Sequence, residues 1–380
     1  MSTTLKELCR MLAVVVEIAA AKWVVASYGG GAGAIRRKVL SEKTAATRFE
    51  ALVLEVVEAC RRLGVGEGAR VVVAYEAGQE GFWLVRALRD RGIEAEVIDP
   101  ASLQVDRRAR RAKTDRLDAE ALVRSLWRWM GGDGLALRMV RVPSVADEDN
   151  REWQRERDRL MGEQRACTDR IVKKLRTHGV WIELDRGVRR QLREGTQCRF
   201  DGELLAPILQ AALVIELDRV EAMQARLKEW ERKRAELTPA AVERIERLRQ
   251  LRGIGIVGAR QLALRLFWRI FGNRRQVGAC TGLVGVPYDS GTKQQDQGIS
   301  KLGDPRLRAV LIELAWMWLR HQPDSAIAQW FAKRTQGQSK RGKRIMIVAV
   351  ARRLVIALWR YLVHAEVPQG AKFKATAAAA

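Results

Sequence analysis

The chain has 380 residues, of which 69 are lysine or arginine and 45 are aspartate or glutamate, which gives a net charge of +24. This excess favours a polyanionic partner, and the preference for arginine over lysine favours phosphate, which a guanidinium group binds with two parallel hydrogen bonds. No apolar run is long enough to predict a membrane-spanning helix, and the first residues lack a signal-peptide cleavage pattern. We therefore predict a cytoplasmic protein without a membrane partner.

Cysteine and histidine are too sparse for two common kinds of site. The five cysteines are scattered and never form a Cys-x-x-Cys pair, so we expect neither a disulfide framework nor a zinc site. The three histidines are isolated from one another, which leaves little material for a histidine-based catalytic dyad. Any catalysis would therefore depend on carboxylates, hydroxyl groups and basic side chains.

The first third of the chain alternates between short apolar runs and amphipathic runs. The pattern predicts strands at residues 11–18, 22–27, 38–40, 71–75 and 94–98, and helices at residues 47–63, 81–91 and 113–129. Alternation of this kind predicts an α/β layer with a mixed sheet. An opening hairpin followed by strand–helix repeats is typical of a ribonuclease-H-like or RuvC-like domain.

Three carboxylates fall at informative places in this region. Glu76 follows a buried-type strand, and Asp115 and Asp118 lie three residues apart at a helix start, so the two aspartates share one helix face. Carboxylates bind hard divalent cations, and nearby basic residues hold a nucleic-acid strand. The basic run before the helix consists of Arg107, Arg108, Arg110, Arg111 and Lys113. The spacing alone also describes the solvated start of an ordinary amphipathic helix.

The middle of the chain is helical and heavily charged. Residues 131–149 indicate a boundary, and residues 150–176 and 208–237 predict two long helices that pair as an antiparallel insert or coiled coil. Their charges either solvate the helices or serve dimerisation or RNA contact. Further on, residues 248–262 predict a helix, a Gly-x-Gly turn and a second helix, whose N-terminus could bind a phosphate. Such turns also occur without any ligand.

A polar segment in the C-terminal third carries Ser290, directly before Gly291. The cations near it are Lys293, Lys301, Arg306 and Arg308. A hydroxyl surrounded by cations can attack a phosphodiester, because the cations stabilise the charge of the pentacoordinate phosphorus. The spacing by itself favours an ordinary turn serine. Helices are predicted at residues 306–319 and 340–362, and residues 365–380 are predicted to be a disordered tail.

These segments together resemble the DEDD transposases of the IS-one-ten/IS-eleven-eleven group of insertion sequences. The similarity extends over about residues 12–362 and is most specific at residues 75–83, 97–118, 251–255 and 281–308. The resemblance implies four parts. They are a RuvC-like metal-binding domain (residues 1–132), a linker and helical coiled-coil insert (133–238), a mainly α C-terminal serine transposase domain with a helix-hairpin-helix-like element (239–364), and the tail (365–380).

The resemblance also implies roles for single residues. Glu76, Asp115 and Asp118 match the second, third and fourth acids of the family's tetrad, and Ser290 matches its nucleophilic serine. The first acid should be aspartate, but the matching position is Glu17. The four acids would hold Mg²⁺ or Mn²⁺. Because Mg²⁺ requires near-octahedral geometry, Glu17 either binds through a shifted backbone or a bridging water, or it marks a weakened copy.

Asp99 follows the next strand and is a possible stand-in acid that the family does not assign. The resemblance further implies donor and target DNA, a structured bridge RNA as guide, a homodimer or homotetramer, and a place at the bacterial nucleoid. The basic residues named above would contact nucleic-acid phosphates.

We therefore expect an insertion-sequence transposase, an RNA-guided site-specific recombinase that cuts and rejoins DNA through a phosphoserine intermediate. Two alternatives stay open. In a Holliday-junction-type metal-dependent nuclease, water would attack the phosphate and Ser290 would be dispensable. In a catalytically weakened copy, the protein would still bind nucleic acid, and Glu17 would be the mark of its decay.

Overall fold

A computed structural model describes residues 11–30, 34–66, 68–103, 115–232, 237–290 and 293–374. For residues 115–118, 288–290 and 293–297 the structure describes the backbone but not the side chains. The backbone contacts divide the chain into an N-terminal unit, Met1–Pro143, and a C-terminal unit, Ser144–Ala380. Each unit has hydrophobic core clusters of its own.

A five-stranded mixed sheet forms the centre of the N-terminal unit. Its strands are β1 (Met11–Ile18), β2 (Trp23–Tyr28), β3 (Arg36–Leu40), β4 (Arg70–Glu76) and β5 (Glu94–Ile98), in the spatial order β3-β2-β1-β4-β5. Strand β2 is antiparallel to β1 and to β3, whereas β4 is parallel to β1 and to β5. Residues 12–16 of β1 are buried because both faces of the sheet are covered. The expected mixed sheet is confirmed.

Helices cover the two faces of this sheet. Helices α1 (Ala45–Arg62) and α2 (Trp83–Asp90) pack on one face, where Leu52 and Leu88 belong to the same hydrophobic cluster as Val14. Helix α3 (Asp115–Met130) packs on the other face, where Leu126 meets Val15. A capping box fixes the start of α1, because the side chains of Thr44 and Thr47 each accept a backbone N–H of the other residue.

The C-terminal unit begins with a long antiparallel helix pair. Its first helices are α4 (Val145–Arg176), α5 (Arg186–Glu194) and α6 (Pro207–Arg232). Near one end of the pair, Trp230 Nε1 donates to the Trp153 carbonyl over 3.1 Å, and nearer the other end Arg170 pairs with Glu216 over 2.9 Å. The apolar seam between the helices contains Ile171, Leu175, Leu213 and Leu217, among others. Amphipathic helices with one apolar stripe pair in this way.

The rest of the C-terminal unit is a helical cluster with one β-hairpin. Its helices are α7 (Pro239–Gln250), α8 (Ile256–Arg265), α9 (Arg274–Cys280), α10 (Pro305–His321), α11 (Ala326–Thr335) and α12 (Lys340–His364), and the hairpin consists of β6 (Gly285–Ser290) and β7 (Lys293–Ile299). Trp318 of α10 and Leu354 and Leu358 of α12 are fully buried in its core. The mainly helical character matches the expectation, whereas the hairpin replaces what the sequence indicated as a polar loop.

Residues 365–374, for which the sequence predicts disorder, pack against the turn between α7 and α8. The Lys374 N–H donates to the Gln250 carbonyl over 2.7 Å, and the Arg252 N–H donates to the Lys372 carbonyl over 3.1 Å. The buried Gln322 donates to the carbonyls of Arg252 and Lys372. Because these bonds pair backbone groups of the segment with those of the turn, this part of the tail belongs to the fold. Residues 375–380 lie outside the described part of the chain.

None of the helices in the described ranges is both long enough and apolar enough to cross a membrane.

Candidate active site

Glu17 and Glu76 lie at the same level on neighbouring strands. The parallel ladder of β1 and β4 ends with Val15 opposite Ala74, and continuing its register by two residues places Glu17 level with Glu76. Val15 and Ala74 both belong to the core beneath α3, so the alternation of side chains sends both glutamates to the α3 face. Neighbouring strands are about 4.8 Å apart, which brings the two carboxylates within reach of one cation.

The first turn of α3 lies at the same edge of the sheet. The last residue of α3, Met130, accepts a hydrogen bond from Arg70 at the start of β4, over 3.4 Å. Helix α3 has 16 residues and β4 has seven, so the helix is about 24 Å long and the strand about 23 Å. The helix start, which carries Asp115 and Asp118, therefore falls at the edge with the two glutamates. The side chains of these aspartates lie outside the described residues.

Arg48 fixes the turn that follows Glu17. This buried arginine of α1 donates to the carbonyls of Ala20 and Ala21 over 2.8 and 2.9 Å, and to the Glu42 carbonyl over 2.6 Å. Three carbonyls of two loops are thereby tied to one guanidinium group. The sequence pattern marks Arg48 only weakly. Its only signal is a cation at a position of α1 whose neighbours in the helical pattern are apolar.

A tyrosine holds the segment that follows Glu76. The Tyr75 hydroxyl donates to the Gly81 carbonyl over 2.8 Å, so the loop between β4 and α2 is anchored beside the acid. Glu76 is exposed, whereas Glu17 is half-buried and its Oε2 is shielded from solvent. Asp99 has a structural task, because its Oδ1 accepts the Ala101 N–H over 3.0 Å and caps a short 3₁₀ turn. Asp99, the alternative acid, thus already caps the 3₁₀ turn.

The carboxylate ligands at this edge of the sheet suit a hard divalent cation. Glu17 and Glu76 offer carboxylate oxygens, which Mg²⁺ and Mn²⁺ prefer over nitrogen or sulfur. Among the side chains that the structure describes, no group of three or more His, Cys, Asp or Glu is arranged to hold a metal. A complete site would thus need Asp115 and Asp118, which are not part of that set.

Ser290 is the last residue of β6, at the tip of the hairpin. Its backbone is opposite Lys293, the first residue of β7. At the base of the hairpin, the Ser300 N–H donates to the Val284 carbonyl over 2.8 Å, and the Lys301 N–H donates to the Gly282 carbonyl over 3.2 Å. The hairpin therefore presents Ser290 at its far end from a hydrogen-bonded base.

Glycine is required at this base. Gly282 has a φ of +66°, and a Cβ there would collide with the Leu302 carbonyl. Arg308 strengthens the same place, since its Nη1 donates to the Leu302 carbonyl over 2.8 Å and to the Gly303 carbonyl over 3.2 Å. The structure thus uses Arg308, a sequence-predicted phosphate ligand, to hold backbone carbonyls.

A buried arginine connects the hairpin base to the long helix α4. Arg265 of α8 pairs with Asp158 of α4 and with Asp304, over 2.5 Å for the second pair. Its side chain and that of Asp158 are each 12% exposed. Asp304 also caps α10 by accepting the Arg306 N–H over 2.9 Å. The Arg306 guanidinium lies 3.3 Å from Asp158, so this predicted phosphate ligand already has a carboxylate partner.

The pKa of Asp304 lies below its usual value near 3.8. Burial of the carboxyl group acts in the opposite direction and would raise the pKa, but the charge of Arg265 and the hydrogen bond from the Arg306 N–H outweigh it. Asp304 is therefore ionised in the folded protein at neutral pH, and its attraction to Arg265 contributes to the stability of the C-terminal unit.

The remaining sequence-predicted residues fall in three groups. Lys301 is exposed, with a left-handed φ of 56°. The backbone of Lys293 is in β7, but its side chain is not described. The basic run of Arg107, Arg108, Arg110, Arg111 and Lys113 lies outside the described residues. Of these remaining residues, Lys301 is thus the one whose exposed side chain the structure describes.

The turn between α7 and α8 has the expected helix–Gly-x-Gly–helix form. Gly253 has a φ of +83°, and Gly255 is the N-cap of α8 without a side-chain cap. Gly253 also lies close to α10, where an added Cβ would be 3.1 Å from the Met317 carbonyl. The positive φ of Gly253 and its packing against α10 therefore account for one of the two glycines.

Comparison with known proteins gives the family. Residues 245–330 match the profile described as "Transposase IS116/IS110/IS902 family". A putative transposase, y4rJ, of Sinorhizobium fredii is 38% identical over 377 residues, which cover 94% of this chain and 93% of the relative. The chain belongs to this transposase family. The matched segment of the transposase contains the α7–α8 turn, the serine hairpin and Asp304.

Two further relatives of the transposase are more distant. A probable family 20 transposase of Pseudomonas aeruginosa is 29% identical over 297 residues, covering 77% of this chain and 83% of the relative. The transposase for insertion sequence element IS1111A of Coxiella burnetii is 25% identical over 307 residues, covering 78% of each chain. These similarities extend beyond the segment 245–330 of the transposase, so both of its units take part in them.

Proposed function

We propose that this transposase is an RNA-guided, site-specific DNA recombinase that cuts and rejoins DNA through a phosphoserine intermediate at Ser290. The acids Glu17, Glu76, Asp115 and Asp118 would form a Mg²⁺-dependent site. The observation that carries the proposal is the convergence of Glu17, Glu76 and the first turn of α3 at one edge of the sheet.

The sheet topology supports the proposed acidic site. The order β3-β2-β1-β4-β5, in which β2 runs opposite to the other four strands, is the arrangement expected of a ribonuclease-H-like or RuvC-like domain. In such a sheet the carboxyl ends of the parallel strands β1 and β4 meet at one edge. Side chains at that edge can act together on one phosphate, and two of the four proposed acids are found there.

The four acids would hold Mg²⁺ or Mn²⁺, which would neutralise charge on the phosphate and on the departing oxygen. The contribution of the chain is orientation. Arg48 and Tyr75 hold the segments that follow the two glutamates, so the carboxylates are fixed before the substrate binds. Glu17 is longer than the expected aspartate, and the register of β1 keeps its backbone level with that of Glu76.

Ser290 would perform the covalent step. Its oxygen forms a bond to phosphorus as one phosphorus–oxygen bond of the DNA strand breaks, and the departing oxygen takes up the hydroxyl proton. Rejoining is the reverse step, in which a hydroxyl of the partner strand attacks phosphorus and the serine oxygen leaves. The phosphodiester bond energy is therefore conserved. The position of Ser290 at the tip of a hairpin whose base is hydrogen-bonded supports access to a strand.

The partners in this proposal are donor DNA, target DNA and a structured guide RNA, acting on a homodimer or homotetramer. Lys293, Lys301 and the basic run from Arg107 to Lys113 would contact phosphates without reading sequence. Target choice would come from base pairing with the guide.

A cleavage assay tests the proposal. Purified protein, Mg²⁺, RNA transcribed from the flanks of the element and end-labelled donor DNA are incubated and run on a denaturing protein gel. We expect label to migrate with the wild-type protein and with the control variant Ser300→Ala, which keeps the backbone bond at the hairpin base, but not with Ser290→Ala. Free cut DNA from the wild type and from Ser290→Ala alike would indicate a nuclease that uses water. Bound RNA without cutting would indicate a weakened copy.

A further inference from the structure

A cluster of exposed cations surrounds the turn between α11 and α12. We propose that this basic surface binds the sugar–phosphate backbone of duplex DNA. It consists of Lys333, Arg334, Lys340, Arg341, Lys343 and Arg344. The proposal rests on the proposed function only in that the transposase acts on DNA. It does not depend on the serine, on the acids or on a guide RNA.

The basic surface lacks carboxylates of its own. From residue 325 to residue 365 the sequence contains no aspartate or glutamate. All six cations are exposed. Among the described residues, the structure gives none of the six an ion pair with a carboxylate, although ion pairs are frequent elsewhere in the unit. The charge at this turn is therefore available to an outside anion.

The arginines of the long helix pair show the contrast. Arg155 pairs with Glu152, and Arg159 pairs with Glu156 and Glu163, each within helix α4. Across the pair, Arg170 bonds to Glu216. In these helices each of the named cations has an acid within 3.0 Å. These three arginines thus have carboxylate partners, whereas the six cations at the turn between α11 and α12 have none among the described residues.

Helix stability does not account for the cations either. Lys340, Arg341, Lys343 and Arg344 are among the first five residues of α12, whose first turn contains no acid. The N-terminus of a helix carries a partial positive charge, so cations there are unfavourable. Ser339 caps the helix by accepting the Gly342 N–H over 3.2 Å, which gives the helix a regular start without them. A polyanion bound at this end would relieve the repulsion.

The scaffold beneath the surface is rigid. Residues of α12 that follow the cations, among them Ile347, Val350 and Leu354, are buried in the core. Arg353 of α12 lies over the ring of Trp330 of α11, 3.9 Å from its centroid, and so holds the two helices together. The four residues between the helices, 336–339, leave little freedom at the turn. The cations are thus presented in a fixed arrangement, which lowers the entropic cost of binding.

Duplex DNA fits this surface better than single-stranded nucleic acid. Recognition of unpaired bases relies on exposed aromatic rings, on which the bases stack. In the segment 326–345 the aromatic residues are Trp330 and Phe331, both partly buried in the core, and the ring of Trp330 is covered by Arg353. Backbone contact to a duplex requires only cations, and it supplies affinity without sequence readout.

The test is a salt titration of binding. The variant Lys340→Gln, Arg341→Gln, Lys343→Gln, Arg344→Gln is compared with a control that removes four paired cations, Arg155→Gln, Arg159→Gln, Arg199→Gln, Arg249→Gln. Both variants change the net charge by the same amount, and both leave the surface of the serine hairpin intact. Affinity for a labelled random-sequence duplex is measured by fluorescence anisotropy, without Mg²⁺, from 50 to 300 mM salt (a range chosen because binding falls steeply over about 50–200 mM).

We expect the Lys340–Arg344 variant to bind the duplex at least about tenfold more weakly at moderate salt. The slope of log K against log salt concentration should become shallower by about 0.9 for each phosphate that the variant no longer neutralises. The control should bind as the wild type does. Equal weakening in both variants would mean a general charge effect and would overturn the proposal, as would unchanged binding. Weaker binding to a structured RNA but not to the duplex would also overturn it. Since cleavage is not measured, failure of the recombinase chemistry would leave this result unaffected.

Discussion

Glu17 of β1 and Glu76 of β4 occupy matching levels of two parallel strands and project towards the face that α3 covers. Their separation along the chain is large, yet strand pairing makes them neighbours at one edge of the sheet. Residues held in this way can share a ligand that neither would hold alone. The structure describes both residues, and the register of the β1–β4 ladder relates their positions.

Neutralising either glutamate should remove metal-dependent cleavage. Even residues that only orient a metal ligand typically cost about 10–100-fold when removed, so Glu17→Gln and Glu76→Gln should each slow cleavage by more than about 100-fold. Cleavage rates at saturating Mg²⁺ give the measurement, with Glu80→Gln, in the loop after β4, as the control. Cleavage at the wild-type rate by Glu17→Gln would show that this residue is not part of the acidic site.

Replacing Arg48 should loosen the turn beside Glu17. Arg48→Met keeps the apolar stem but leaves the carbonyls of Ala20, Ala21 and Glu42 without their donor, which should lower the free energy of unfolding by about 2–4 kcal/mol. Urea denaturation measures the change. Arg61→Met, on the exposed face of the same helix, should cost less than about 0.5 kcal/mol. Equal losses of unfolding free energy in the two variants would mean that the Arg48 hydrogen bonds do not stabilise the fold.

Acid should weaken the C-terminal unit through Asp304. Because the folded pKa of Asp304 is below its usual value near 3.8, its stabilising contribution is fully present above that value and is lost as the pH falls through the folded pKa. Asp304→Asn should therefore be less stable than the wild type at pH 7, and the difference should shrink below about pH 4. Urea midpoints between pH 7 and pH 3 measure this, with the exposed Asp169→Asn as control. A difference that grows towards low pH would contradict the assignment.

Shortening the C-terminus should have an effect that depends on where the chain ends. Removal of residues 375–380 keeps Lys372 and Lys374, so the exchange of the Arg252 amide should stay as in the full chain. Removal of residues 368–380 also takes away Lys372 and Lys374, whose backbone groups bond to Arg252 and Gln250. The Arg252 amide should then exchange its hydrogen with solvent faster, because its acceptor is gone. Hydrogen exchange of that amide is the measurement, and unchanged protection in the shorter chain would show that the tail does not hold the turn.

The sheet and its helices follow from the sequence because their signals are local. Buried strands such as β1 and β4 are continuous apolar runs, and α3 has a regular apolar face. The expected position of Glu76 at a strand end followed from the same pattern. That Glu17 shares its level depends on the register between two strands far apart in the chain, which local patterns do not contain.

Local sequence patterns did not predict the β6–β7 hairpin or the ordered residues 365–374. Strands β6 and β7 have polar sequences, GVPYDS and KQQDQGI, without alternating apolar residues, so they resembled a loop. The tail is held by backbone bonds to residues more than a hundred positions earlier. The basic surface at the α11–α12 turn was also missed, because the sequence shows that acids are lacking there but does not show that all six cations are exposed around one turn.

The most direct test of the account is to identify the residue that becomes joined to DNA. Protein–DNA complexes formed with Mg²⁺ and guide RNA would be denatured, digested with nuclease and protease, and examined by mass spectrometry. We expect a nucleotide remnant on the Ser290 side chain in the wild type, and none in Glu17→Gln or Ser290→Ala. A remnant on another residue, or cut DNA with no remnant on the protein, would contradict it.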